Sequence, residues 1–291
     1  MSFAFVGAPL DRAEHLRNAP SALAALWPQA RLLLLDADGN ALTAADDALL
    51  VVEGGAVAGA LPEDAVFLGL HGERGWFMLP AERAEVEAEG RINLRAAAAL
   101  WPVREATAFA QARAVLHWRS RHRFCGACGG PLAFARAGWL GHCAACNIEH
   151  YPRTDPAVIV SVSDGERLLM GREATWPARR WSVLAGFVEP GETLEQTVER
   201  EVFEESQVRV RASRYLGSQP WPFPSSLMLG FEADAEPDEP VPNTDELEDV
   251  RWFTREEIGA ALRGETGDEG VLLSPSVSIS RWLIERWYQG S

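Results

Sequence analysis

Gly186-Phe-Val-Glu-Pro-Gly-Glu-Thr-Leu-Glu-Gln-Thr-Val-Glu-Arg-Glu-Val-Phe-Glu-Glu-Ser-Gln-Val208 carries more chemistry per residue than any other part of this chain. Thr193 and Gln196 have the spacing of a capping box, and good helix formers follow, so a helix is expected to begin at about Leu194. On that helix Glu201 and Glu205 lie one turn apart on one face, with Glu204 on an adjoining stripe. Val198 and Val202 fall on the opposite stripe and are expected to pack inward. Like charges at this spacing repel, so the cluster calls for a compensating cation. A hard divalent ion, Mg²⁺ or Mn²⁺, suits carboxylate oxygens and retains waters for a phosphate substrate. A merely solvated acidic face would read the same from the helix alone, so the neighbouring sequence decides.

Upstream of the acidic helix, residues 157–162, 167–170 and 181–185 read as strands, with a turn at 163–166, which is an α+β pattern. Downstream stands Ser218-Gln-Pro-Trp-Pro-Phe-Pro-Ser-Ser226. Its prolines, Pro220, Pro222 and Pro224, argue against a regular helix or a central strand and for a rigid extended loop that presents Trp221 and Phe223. Aromatics held in this way can stack on a base or a nicotinamide ring, a contact worth ~1–3 kcal/mol by analogy with nucleic-acid binders. The same residues could equally be core aromatics at a proline-rich turn.

Cys125, Cys128, Cys143 and Cys146 are the only cysteines, and they form two CxxC knuckles separated by 14 residues. That spacing suits a tetrahedral S4 zinc site, with Gly126, Gly129 and Gly130 supplying permissive backbone. Four protein ligands close the shell, so the zinc is expected to be structural, one ion per chain. Two disulfides would be disfavoured in a reducing cytoplasm. Before the knuckles, residues 31–36 and 65–70 read as strands and the Ala-rich stretch 94–118 as a helix. The expected organisation is an N-terminal domain over 1–118, a zinc ribbon over 119–151 and a catalytic domain over 152–291, with no internal repeat.

The chain has 291 residues, 27 basic and 42 acidic, for a net charge of −15. All the basic residues are arginine, which excludes Schiff-base lysine chemistry, Ser-Lys dyads and a phosphate loop ending in Gly-Lys-Ser/Thr. The acidity argues against broad electrostatic binding to nucleic acid. No apolar run approaches the ~18 residues of a membrane span, and the N-terminus makes a poor secretory signal, so a cytoplasmic protein without a membrane partner is expected.

Gly186, Glu192, Arg200-Glu201, Val202, Glu204-Glu205 and Val208 reproduce the spacing of the Nudix box, so this region resembles the Nudix hydrolases. The resemblance implies a mixed sheet between helices and attack of water on a pyrophosphate. It makes Glu201 and Glu205 metal ligands, Glu204 a further ligand or base, and Arg200 the partner that orients the carboxylates. Gln207 stands where the box has glycine, and a changed helix exit with retained activity is expected.

The 218–226 array, the ribbon and Tyr151-Pro-Arg153 are similar to the NADH pyrophosphatases of that family. This implies hydrolysis of NADH or NAD⁺ to nicotinamide mononucleotide and AMP, removal of NAD caps from RNA 5′ ends, and a homodimer whose N-terminal domain is a degenerate Nudix-like α/β fold. Substrate contacts then map to Tyr151, Gln219, Pro220, Trp221, Pro222, Phe223, Pro224, Ser225, Ser226 and Ser280. The Mg²⁺/Mn²⁺ ligands map to the Ala185 carbonyl, Glu201, Glu205 and Glu246. Asp245, Glu248 and Asp249 stand beside Glu246 as alternatives.

Two other readings compete. A Nudix hydrolase for ADP-ribose or a dinucleoside polyphosphate leaves the 218–226 array unexplained. A non-catalytic nucleotide- or nucleic-acid-binding protein would use the ribbon with Arg119, Arg121 and Arg123, but it would be expected to lose box carboxylates, and all are present.

Overall fold

The computed structural model describes residues 3–265, 267 and 270–290. Two compact units divide the chain, one made of residues 4–154 with 221–225, the other of residues 1–3, 155–220 and 226–291.

The second unit is built on the strand Asp155–Ser163, whose alternating side chains serve two cores. Val158, Val160 and Val162 join Val198 and Val202 of the helix Leu194–Ser206. Ile159, on the opposite face, joins Ile279, Leu283 and Ile284 of the helix Ile279–Gln289. The sheet is mixed: Asp155–Ser163 runs parallel to Ser226–Ala235 and antiparallel to Leu168–Arg172 and Leu184–Phe187. Val210–Trp221 forms one edge and Asp249–Phe253 the other. This is the α+β arrangement of a sheet between helices.

The first unit has a second mixed sheet, with Arg31–Leu35 parallel to Arg74–Pro80. Leu33 and Leu35 face Phe109, Val115 and Trp118 of the helix Val103–Arg121, while Leu32 and Leu34 face Leu23, Trp27 and Phe77. The cysteine knuckles flank a three-stranded sheet of Leu132–Ala135, Leu140–Cys143 and Glu149–His150.

Several expected elements differ in extent. The stretch 94–118 is two helices, Leu94–Leu100 and Val103–Arg121, because Pro102 lacks an N–H and drives Trp101 into extended backbone. The strand expected over 181–185 is split into Arg180–Trp181 and Leu184–Phe187, with Ser182 exchanging backbone bonds with Gly171 between them. The 218–226 array is not a loop throughout. Its strand continues to Trp221 and includes Pro220, which an edge strand tolerates because one side of its ladder is free.

Candidate active site and zinc centre

The capping box forms as the sequence requires: Thr193 Oγ accepts from the Gln196 N–H and the Gln196 side chain accepts from the Thr193 N–H. The helix it starts lies against the strand Leu184–Phe187, where Gly186 pairs with Val158. A Cβ on Gly186 would fall 1.9–2.2 Å from the carboxylate atoms of Glu201, so glycine is what lets that carboxylate reach the strand backbone. Arg200 braces the arrangement. It donates from Nε to Glu192 Oε1 (2.6 Å) and from Nη2 to Glu192 Oε2 (2.9 Å) and the Phe187 carbonyl (2.9 Å). Its Nη1 lies 3.0 Å from Glu201 and 3.0 Å from Glu204. These bonds hold Glu192 down at about 2 and raise the arginine further.

Glu205 is in the opposite condition. It is 7% exposed, and its Oε2 is buried without a hydrogen-bond partner. Burial, followed by the charges of Glu201, Glu246, Glu173 and Glu204, pushes its carboxyl up to about 8. Burial also raises Glu201. A buried carboxylate oxygen with no donor, in the field of four other acids, is an acceptor that a hard divalent cation would satisfy. Of the acids at 245–249, Glu246 is the one whose charge bears on both Glu201 and Glu205, whereas Glu248 is paired with Arg172. Glu173 was not singled out from the sequence, since it stands outside the box after an unrelated strand. Beside the acids lies a cavity of about 570 Å³ lined by Phe203, Glu204, Gln207, Asn243 and Glu246 among others.

Gln207 keeps the left-handed helix exit (φ 60°, ψ 10°) with its N–H on the Phe203 carbonyl at 2.8 Å. The expected change of exit does not occur: glutamine adopts the backbone that glycine would, at a cost of ~1 kcal/mol.

The residues assigned to substrate fall into several environments. Tyr151 is exposed, with its hydroxyl donating to Glu149. Gln219 is fully buried: its Nε2 donates to the Val277 carbonyl and its Oε1 accepts from the Ile279 N–H, both at 2.8 Å. Ser280 is buried, its Oγ 2.8 Å from Ser182 Oγ. Trp221 and Phe223 are partly buried against the core of the first unit, with the Phe5 ring tilted towards Trp221 at 6.5 Å between centres. Their expected exposure is therefore corrected, and Pro222 between them is buried too. The accessible aromatics near the box are Phe187, 59% exposed, and Phe203, 45% exposed. Sequence reading missed both. For Phe203 the available signal was an aromatic on the polar stripe of an otherwise well-partitioned helix.

In the ribbon the four Sγ atoms lie within 4.8 Å of one another, with Cys125 and Cys146 3.6 Å apart and Cys128 and Cys143 3.5 Å apart. A tetrahedron with ~2.3 Å Zn–S bonds has edges of about 3.8 Å, so the set fits zinc. The two knuckles are built alike. Gly129 and Asn147, each four residues after the first cysteine of its knuckle, take left-handed backbone and donate N–H to the Cys125 and Cys143 carbonyls. His150 Nε2 stands 3.3 Å from Cys125 Sγ, and Cys125 is lowered to about 6, chiefly by the backbone N–H groups of Ala127 and Cys128.

Known families match the chain in three consecutive segments: a rudimentary NUDIX domain of NADH pyrophosphatase-like proteins over 21–118, the NADH pyrophosphatase zinc ribbon over 120–151 and the NUDIX domain over 152–273. The NAD-capped RNA hydrolase NudC of Mycobacterium bovis is 42% identical over 291 residues, covering 95% of this chain and 92% of that protein. The protein of the same name from Stutzerimonas stutzeri is 46% identical over 169 residues, 58% of this chain and 56% of its own. Among solved structures, a NUDIX hydrolase from Nitrosomonas europaea matches 57% of this chain and 90% of its own at 24% identity and a TM-score of 0.46. With Glu201 seated against Gly186 and relatives this similar along nearly its whole length, the chain belongs to the Nudix hydrolases, in the branch that carries the NADH pyrophosphatase zinc ribbon.

Proposed function

We propose that this Nudix hydrolase cleaves the pyrophosphate of NADH and NAD⁺ to nicotinamide mononucleotide and AMP, and takes NAD-capped RNA 5′ ends as a second substrate. The observation that carries the reading is the unpartnered Glu205 oxygen beside Glu201 and Glu246. The activity in the names of relatives 42–46% identical supports the choice of substrate.

Glu201, Glu205 and Glu246, with the Ala185 carbonyl, would hold Mg²⁺ or Mn²⁺. When bound, such ions polarise the pyrophosphate, neutralise developing charge and lower the pKa of the attacking water. The chain's own residues do the rest. Arg200 fixes Glu201 and Glu204 through one guanidinium anchored on Glu192. Glu204, at the exposed end of that network, is the carboxylate available to take the water's proton. The exposed rings of Phe187 and Phe203 offer faces to a base or nicotinamide. Tyr151 and the segment from Gln219 to Ser226 complete substrate recognition, the buried Gln219 and Ser280 acting by shaping backbone. The protein works as a cytoplasmic homodimer; among the described residues no helix is long and apolar enough to cross a membrane.

Incubation with NADH and Mg²⁺ or Mn²⁺ in ¹⁸O-labelled water tests the proposal. Nicotinamide mononucleotide and AMP are expected, with the label on the phosphate that was attacked. Absence of both products would reject the reading, while faster turnover of ADP-ribose than of NADH would favour the broader Nudix alternative.

A further inference from the structure

Residues 221–225, the tip of the hairpin between Val210–Trp221 and Ser226–Ala235, belong to the first unit. Two arginines there are spent on this tip. The Arg95 guanidinium lies 4.0 Å from the centre of the Phe223 ring and 5.1 Å from that of Trp221. The Arg113 guanidinium lies 5.1 Å from the centre of the Phe223 ring and donates to the Pro222 carbonyl. Trp221 and Phe223 are themselves in contact, with ring centres 4.9 Å apart and planes tilted by 60°.

Arg113 is half-buried and Arg95 is exposed; burial is the main cause that lowers each, and among the described residues neither forms an ion pair with a carboxylate. For the half-buried Arg113, a guanidinium without an anion is costly unless something else satisfies it. The Phe223 face and the Pro222 carbonyl do so, and Arg95 covers the two rings from the solvent side.

We propose that Arg95 and Arg113 are positioning residues for the substrate-recognising segment, fixing its tip so that the flanking backbone from Gln219 to Ser226 is held in a binding conformation. In this account Trp221 and Phe223 are anchors for the arginines and do not stack on substrate. The inference rests on the reading of 218–226 as part of the NADH site, and it gives the N-terminal domain a task in recognition.

Full-length Arg95→Ala, Arg113→Ala and the double variant test it, with amide hydrogen exchange at Phe223 and Ser225 measured beside NADH kinetics. The double variant is expected to exchange faster at those amides and to raise KM ~10-fold while kcat stays within ~2-fold, a split that general loss of structure would not produce. Arg113→Lys, which keeps a cation and a donor for the Pro222 carbonyl, is expected to recover most of the KM. Unchanged exchange overturns the clamp, and faster exchange with unchanged KM overturns its role in binding. If an alanine variant loses zinc or its melting transition, the Arg95→Lys/Arg113→Lys pair replaces it under the same criteria, the expected rise in KM being smaller. Failure of the wild type to cleave NADH would sink the substrate reading, and the exchange measurement would still decide the clamp.

Discussion

Glu192 and Glu205 sit on one loop-helix segment, yet one carboxyl is held at about 2 and the other pushed up to about 8. Glu192 has an arginine; Glu205 has only other acids and burial. Replacement of Glu205 by Gln is expected to lower kcat by ~10²-fold or more with folding retained, as read by steady-state turnover beside a thermal melt. Near-wild-type turnover would remove Glu205 from the mechanism. Gly186→Ala should be as damaging through a different route, because the new Cβ occupies the place of the Glu201 carboxylate. The Glu192 pKa is depressed in the fold, so its stabilising contribution is present above the ordinary carboxyl value of 4.5 and is lost as pH falls towards about 2. The difference in melting temperature between wild type and Glu192→Gln should accordingly narrow over that window. A constant difference would show that the Arg200 bonds are not the source.

At the level of elements, the capped helix was legible because everything that starts it is local: Thr193, Gln196 and the helix formers after them. The knuckles were legible for the same reason, since four cysteines at fixed spacing need no distant partner to be interpreted. Cys143→Ser should lose zinc and lower the melting temperature, checked by metal content per chain, and unchanged zinc would remove the ribbon assignment. What could not be read was whatever depends on residues far away in sequence. Whether Trp221 and Phe223 are presented or packed stayed open in the sequence because the residues that cover them, Phe5, Arg95 and Arg113, carry no mark of that task. Gln207 was misjudged because its side chain says nothing of whether the surrounding turn can impose left-handed backbone, and it does. Gln207→Gly should relieve that strain and stabilise by ~0.5–1 kcal/mol, less than the full strain because glycine also loosens the unfolded chain.

Across the molecule, the net charge is concentrated. Residues 186–208 hold seven acids and one arginine, and residues 231–250 hold nine acids and no base, so these two segments carry the whole −15 while the remainder is balanced. Both belong to the unit with the box, and Glu246 lies in the second of them. A protein charged in this way has little means to hold a long RNA by its backbone. Cleavage of capped RNA should therefore vary by only a few-fold between about 50 and 200 mM salt, where six to ten phosphate contacts would cost roughly 10³–10⁵. A steep salt dependence would reveal a basic track that the composition hides. The absence of lysine bears on the same point, leaving arginine, backbone and bound cation to meet phosphate.

The side-chain amide of Gln219 closes a bridge across 60 residues of chain, bonding the Val277 carbonyl and the Ile279 N–H from a fully buried position. A chain cut after residue 273, where the match to the catalytic domain family ends, would lose both of these bonds. It would also strip Ile279, Leu283 and Ile284 from one face of the sheet. The packed unit that carries the box thus runs on to the end of the last helix at Gln289, whose first turn ties down the edge strand Val210–Trp221.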